Sequence, residues 1–427
     1  MTDSIVPAEA VAIEQTKASR FDQLAKKILL SLLRGLRRGE LTIIDGSVLR
    51  IFGQKSNKFP LKATITVHHP RFYSSIVFGG SIGASEAFMA GLWSTDDLTT
   101  VVRITILNRE VLEGMEKGLA RLTAPLQMFF HLSRSNTKKG SRLNIVAHYD
   151  LGNDFYKLFL DETFTYSCGI FESEDSTLKE ASMAKYGRIC QKLDLSSKDH
   201  VVEIGSGWGG FAIYAAQHYG CRITTTTISP AQHHLAKELI DQAGVAHKVE
   251  LLLEDYRDLR GKHDKLVSIE MIEAVGHQYL DTFFRTCSKL LKKDGMMLLQ
   301  AITIADQFFD QHKRSVDFIK RYIFPGSCIP SITAISRSLA RASDLKLFHL
   351  EDITPHYART LRIWRQRFFA NIDKVRALGY PETFIRMWEY YLCYCEGGFT
   401  ERYLGDVQML FTKPLCRRLP LLPPLVT

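Results

Sequence analysis

Between Phe21 and Arg38, apolar side chains at Phe21, Leu24, Ile28, Leu32 and Leu33 are interleaved with basic ones at Lys26, Lys27, Arg34, Arg37 and Arg38. That spacing predicts a helix with one apolar and one basic side. Farther on the period shortens toward two. The segment from Leu41 to about Gly53 reads as a hairpin, and residues 63–67 followed by 74–78 read as further strand pairing. A helical stretch runs from Asp96 to about Leu119, and the polar, basic run 136–142 forms a linker. From about Asn144 the rhythm changes. Apolar runs of strand length at 201–204, 223–227, 249–252, 266–269 and 296–301 are separated by helical segments at 211–219, 230–243 and 280–291, which predicts a parallel α/β sheet. The chain therefore divides into a flexible tail over 1–20, a small α+β domain over 21–125, a linker over 126–143, an α/β domain over 144–415 and a frayed tail over 416–427.

Composition agrees with two globular domains, since 427 residues with 45% apolar and 24% charged side chains exceed one ordinary core. No apolar run approaches the roughly 20 residues that span a bilayer, and Met1-Thr2-Asp3-Ser4 lacks the basic and apolar regions of a signal peptide. A cytoplasmic protein is expected. Eight cysteines lack paired C-x-x-C spacing, so reduced thiols and no metal centre are expected. The net charge of +9 calls for an anionic partner, either nucleic acid or an anionic membrane surface. The amphipathic segment near the N-terminus suits a lipid surface; the same pattern also fits a helix packed on its own domain with a solvated basic side.

The candidate chemistry centres on Val201-Val202-Glu203-Ile204-Gly205-Ser206-Gly207-Trp208-Gly209-Gly210, an apolar strand that meets an acid and then a glycine-dense turn opening a helix. Such a turn lets a ligand approach bare backbone and the unpaired N–H groups of the helix start. The glycine spacing misses the G-x-G-x-x-G of a dinucleotide site. E-x-G-x-G-x-G after a strand is the first motif of S-adenosylmethionine (SAM) dependent methyltransferases, although a strand-to-helix turn can also have only a packing role.

Several further motifs stand in the same chain: His148-Tyr149-Asp150-Leu151-Gly152-Asn153-Asp154-Phe155-Tyr156, Thr165-Tyr166-Ser167-Cys168, Ile228-Ser229-Pro230-Ala231-Gln232, Met271-Ile272-Glu273-Ala274-Val275-Gly276 and Tyr322-Ile323-Phe324-Pro325-Gly326. In this order and spacing they resemble the cyclopropane-fatty-acid synthases, from about Asn144 to about Lys413. Phe88-Met89-Ala90-Gly91-Leu92-Trp93 extends a weaker likeness into the smaller domain. Met387-Trp388-Glu389-Tyr390-Tyr391-Leu392 with Gly405-Asp406 is similar to plant-type members. The resemblance implies a Rossmann-like class I SAM-dependent methyltransferase domain preceded by the smaller α+β domain, which would dock on lipid or help form a homodimer.

By that resemblance Gly205, Ser206 and Gly207 lie under the methionine part of SAM, Thr227, Ile228 and Gln232 line its ribose and adenine side, and Asp255 with Tyr256 closes the adenine slot. Tyr149 and Tyr166 stand near the sulfonium, where an aromatic face favours a cation, and Ser167 bonds the methionine end. On residue type alone, Asp255 also fits a solvated strand end and Tyr149 an ordinary core tyrosine.

Methylene transfer to an isolated alkene leaves a carbocation, so water must be excluded and a base held in an apolar pocket. The family uses a bound bicarbonate, whose ligands carried over by position are Cys168, Glu273, the backbone of Ile302, and Tyr357. A glutamate beside an anion is a candidate for a raised pKa. Where many bacterial members have histidine, this chain has Gln300, which can donate to the anion but cannot take a proton.

The expected activity is transfer of a methylene from SAM to a cis double bond of a membrane phospholipid acyl chain, by a peripherally membrane-associated enzyme. A methyl-branched or methylidene product is the alternative. A nucleic-acid methyltransferase is a remote one, since Glu270-Met271-Ile272-Glu273 stands where a base pocket motif would be.

Overall fold

A computed structural model describes residues 18–111 and 151–421. By contact density the chain forms two compact units, Met1–Pro125 with Pro381–Gly397, and Leu126–Tyr380 with Gly398–Thr427.

In the first unit, β1 (Gly39–Asp45) and β2 (Val48–Gln54) form the expected hairpin, turning at Gly46, whose positive φ of 59° suits glycine. β3 (Lys62–Val67) runs parallel to β1 and β4 (Trp93–Thr95) antiparallel to β3, giving the order β2-β1-β3-β4. Residues 74–78, expected as a strand, instead lie in the helix Arg71–Met89. Tertiary packing overrides their short β-branched run: Ser74 donates to Asp22 at 2.6 Å and Phe78 stacks on Phe21 at 4.3 Å, both on the helix Arg20–Leu33. That first helix begins with a Ser19/Asp22 capping box and buries Asp22, Ala25, Leu29 and Leu33. Its buried stripe is thus offset from the apolar one read in sequence, leaving Phe21 and Leu24 more than half exposed. Lys26 turns inward to Asp45 rather than joining the basic side.

The stretch expected as a helix from Asp96 onward is helical over Leu98–Leu107 and, after a turn at Asn108, over 109–111; residues 112–119 lie outside the described residues, as do the tail over 1–17 and the run 136–142. Residues 381–397, read in sequence as part of the α/β domain, count with the first unit. There Arg386 donates to the carbonyl of Phe88, Tyr390 packs 5.8 Å from the Phe88 ring, and Thr99 bonds buried Glu396 at 3.3 Å.

The second unit is built on β5 (His200–Ile204), β6 (Arg222–Thr226), β7 (Val249–Leu252), β8 (His263–Ile269), β9 (Leu291–Ile304), β10 (Lys346–Asp352) and β11 (Leu404–Thr412), in the order β10-β11-β9-β8-β5-β6-β7. The strands expected from sequence are the five parallel ones. β11 and β10 add an antiparallel edge. Adjacent residues on the central strands point to opposite faces. Leu299, Met409 and Phe411 join Phe283 and Phe284 on one side, while Leu298 and Leu410 join Ile189, Phe211 and Ala215 on the other. The chain order changes direction on the two sides of β5, so a crevice for ligand opens at its carboxyl end.

The edge strand is fastened to the helix Leu178–Leu193 by Glu351, which bonds Arg188 at 2.6 Å and Lys192 at 2.5 Å. Burial opposes its charge, but these two cations outweigh it and hold Glu351 at about 2, below its ordinary 4.5. A depressed folded-state pKa stabilises the fold above the unfolded value and loses that contribution as pH falls through the folded one. Melting curves of Glu351→Gln and of the parent should therefore differ most at neutral pH and converge between pH 4.5 and about 2.

Candidate active site

The turn after β5 is shaped by three glycines at positive φ, Gly205 at 94°, Gly207 at 51° and Gly209 at 88°. The N–H groups of Gly205 and Ser206 donate to Thr226 on β6 at 3.1 and 2.8 Å, which clamps the turn to the sheet. A Cβ on Gly205 would meet Met271 at 3.2 Å, whereas one on Gly207 would meet nothing within 4 Å. Gly207 therefore borders open space, where backbone can approach a ligand. Beneath it, Glu203 is buried and accepts from Thr225 at 2.6 Å, and burial pushes its carboxyl up to about 7.

Across the crevice the Thr227 hydroxyl donates to Gln232 at 2.8 Å, and Ser229 caps the helix Pro230–Gln242. Ile228 stays partly exposed between them. Asp255 is held in a fork by Arg257 at 2.8 and 2.6 Å, not left to solvent. Tyr256 packs edge-on against Phe283 at 5.7 Å. Tyr166 sits in an aromatic wall, 5.3 Å from Tyr156 and 5.2 Å from Trp364, and Trp208 adjoins Tyr156 at 5.0 Å. Ser167 accepts from buried Lys185 at 2.6 Å. Tyr149 lies outside the described residues.

At the carboxyl end of β8 three acids gather: Glu270, Glu273 and Asp406. Glu270 Oε1 accepts from the Cys168 N–H and from the Gln300 amide, each at 2.8 Å, and its Oε2 accepts from the Tyr357 hydroxyl at 2.6 Å. Phe399 stacks on the Tyr357 ring at 4.3 Å and fixes its direction. Glu273 accepts from the Ile302 N–H at 2.5 Å, while its Oε2 is buried without a hydrogen-bond partner. Burial first, then the charge of Glu270, pushes Glu273 up to about 8. The same causes, with Glu273 added, push Asp406 well above the carboxylate range, and burial with Asp406 and Glu270 does so for the Cys168 thiol. Lys185 is the counter-charge: burial lowers its pKa, and the acids, Glu270 foremost, pull it partly back.

Gln300 belongs to a directed chain. Lys192 can only donate, so the Gln408 oxygen must face it at 2.7 Å. The Gln408 amide then donates to the Gln300 oxygen at 3.0 Å, leaving the Gln300 NH₂ for Glu270. Strand register makes this possible, because Gln408 and Gln300 are paired across β11 and β9.

The family model for mycolic acid cyclopropane synthetase matches residues 136–409. This chain belongs to that family. Cyclopropane-fatty-acyl-phospholipid synthase of Escherichia coli is 35% identical over 355 residues, covering 82% of this chain and 88% of the relative. Tuberculostearic acid methyltransferase of Mycobacterium tuberculosis is 37% identical over 357 residues, covering 82% and 83%. The crystal structure of a mycolic acid cyclopropane synthase with SAH and CTAB is 32% identical, with a TM-score of 0.60, and covers 64% of this chain and 98% of that one. The synthetase-family chain is accordingly a SAM-dependent methyltransferase on a Rossmann-like fold.

Of the residues expected from sequence, Cys168, Gln300 and Tyr357 come together around Glu270, with Glu273 and Ile302 beside them. Of the bicarbonate ligands that the resemblance gives, Cys168 and Tyr357 close on Glu270, as does Gln300 in the place of the family's histidine, and the Ile302 N–H closes on Glu273. With Glu270 in place, none of these three donors is left for a separate bicarbonate. Another anion beside them would also be repelled, by about 4 kcal/mol per like charge at about 4 Å and an effective dielectric of about 20. Sequence reasoning passed over Glu270, Asp406 and Lys185 as site residues. The signal for the first was two glutamates three apart after a strand.

A raised acid pKa favours the fold below the unfolded value and loses that contribution as pH rises through the folded value. Replacing Glu273 by glutamine should therefore flatten the decline of melting temperature between pH 4.5 and about 8 relative to the parent. An unchanged slope would place Glu273 in a solvated environment.

Proposed function

We propose that this protein transfers the methyl carbon of SAM to the cis double bond of an unsaturated phospholipid acyl chain and closes a cyclopropane ring. The observation that carries the reading is the pairing of the partly exposed Tyr166, backed by the buried rings of Tyr156 and Trp364, with a bonded carboxyl group, Glu270, at the end of β8. Aromatic faces tolerate a sulfonium and a carbocation, and a carboxylate can take the proton that ring closure releases. The likeness to the E. coli phospholipid synthase supports a phospholipid substrate.

In this reading Gly205, Ser206 and Gly207 hold the methionine part of SAM, Thr227, Ile228, Gln232, Asp255 and Tyr256 its nucleoside, and Tyr166 faces the sulfonium. The Ser167 hydroxyl, which accepts from Lys185, keeps its own hydrogen for the cofactor's carboxylate. Cys168, Gln300 and Tyr357 position the acid that receives the proton, and Ile302 positions Glu273. A second reading, a methyl-branched or methylidene product, is favoured by the likeness to the tuberculostearic acid methyltransferase.

Proton NMR of lipids recovered after incubation with SAM and cis-unsaturated phospholipid vesicles separates the two. Upfield ring-methylene signals are expected; a new methyl or methylidene signal without them would establish the second reading, and unchanged lipid would overturn both.

The first unit docks on the membrane in this proposal, through Phe21, Leu24 and the nearby basic side chains, at the cytoplasmic face. No helix among the described residues is long and apolar enough to cross a bilayer. Cosedimentation with anionic vesicles should exceed binding to duplex DNA. Changing Phe21 and Leu24 together to serine should weaken it at least about tenfold, since burying each such side chain stabilises by roughly 1.5–3 kcal/mol. Equal binding by the double variant would remove this helix from the interface.

A further inference from the structure

We infer that Glu270 is the built-in base of this enzyme, a carboxyl group tethered to the chain in the position where the family resemblance puts a bicarbonate ion. The inference rests on the alkene-methylating reading above and deepens it.

Three donors from separate elements converge on this one side chain: the Cys168 N–H from the loop before the helix Leu178–Leu193, the Gln300 amide from β9 and the Tyr357 hydroxyl from the helix Thr354–Ala370. Such convergence builds an anion site, and here the sequence supplies the anion. The backbone gives independent support. Glu270 has φ of +48°, a region that side chains other than glycine's seldom adopt. A glutamate kept there, at the end of β8 and against backbone preference, is retained for what its side chain does. The relay from Lys192 through Gln408 to Gln300 presents a donor, never an acceptor, to Glu270. Glu270 is the partly exposed member of the three acids, whereas Asp406 and Glu273 are buried.

The step balances without a further reagent. The alkene π pair forms a bond to the SAM methyl carbon while the C–S pair stays on sulfur, giving S-adenosylhomocysteine and a cation on the neighbouring chain carbon. Glu270 takes one proton from the new methyl, and the released C–H pair forms the last ring bond. Protonated Glu270 then returns its proton to water. A tethered base is held in place before the cation forms, which a freely exchanging ion is not.

The test compares the parent with Glu270→Gln and Glu270→Gly, in buffer stripped of carbon dioxide and again with millimolar bicarbonate. The parent should convert cis-unsaturated lipid equally well in both. Glu270→Gln, which keeps the shape but lacks a basic oxygen, should bind SAM normally by calorimetry and lose at least about 100-fold in kcat in both. Glu270→Gly, which suits the positive φ and empties the site, should lose activity in stripped buffer and recover with bicarbonate. Stimulation of the parent by bicarbonate, or near-parental kcat in Glu270→Gln, would overturn the proposal.

Melting temperature gives a readout independent of turnover: bicarbonate should raise that of Glu270→Gly and leave the parent unmoved. A shift in the parent, or none in the variant, also counts against Glu270. If the parent modifies no unsaturated lipid, the functional reading fails, while the melting comparison still decides whether Glu270 fills the anion site.

Discussion

Three carboxyl groups and one ammonium share a poorly solvated corner, and the rest of the catalytic unit is arranged around that constraint. Glu270, Glu273 and Asp406 cannot all ionise beside a single Lys185 without large repulsion. Burial and mutual charge therefore separate their roles, with Glu273 and Asp406 driven toward their protonated forms and Glu270 acting on both as the negative neighbour. Donors are assigned accordingly. Cys168, Gln300 and Tyr357 serve Glu270, while the Ile302 N–H serves Glu273.

The sheet supplies the accuracy this arrangement needs. Gln300 lies on a strand flanked by β8 on one side and β11 on the other, so its backbone is fixed twice over. Glu270 follows β8 directly, and its own N–H donates to the Gln300 carbonyl at 2.8 Å. Side chain and backbone of the two residues are thus joined at both levels, and the distance between acid and amide varies little. The glycine turn after β5 meets the same corner through Met271, which packs under Gly205.

Much of this was legible in the sequence. The five parallel strands announced themselves as apolar runs, and the glycine turn marked the place of the crevice. β11 was hidden because Asp406 and Gln408 break an otherwise apolar run. Both are buried polar residues, and both face partners that only the folded sheet brings near. Residues 74–78 misled for the opposite reason, since local β propensity was strong and the deciding contact, with the helix Arg20–Leu33, lies some 50 residues away. Glu270 was visible as a letter but not as a role. Its function depends on donors from positions 168, 300 and 357, and no local pattern joins them.

The return of Pro381–Gly397 to the first unit has a consequence for how the chain comes to be folded. Its contacts with Phe88 and Thr99 close a loop in which Thr99 and Glu396 lie 297 residues apart. On a ribosome the first unit can form its sheet early, but it waits for the last part of synthesis to receive its final helix. The catalytic unit is complete only later still, when β11 arrives. Neither unit is therefore a stretch that can be cut out between two points of the sequence. A fragment ending at the linker would expose the faces of Phe88 and Val102 that the late helix covers, and chaperone demand during translation follows from the topology itself.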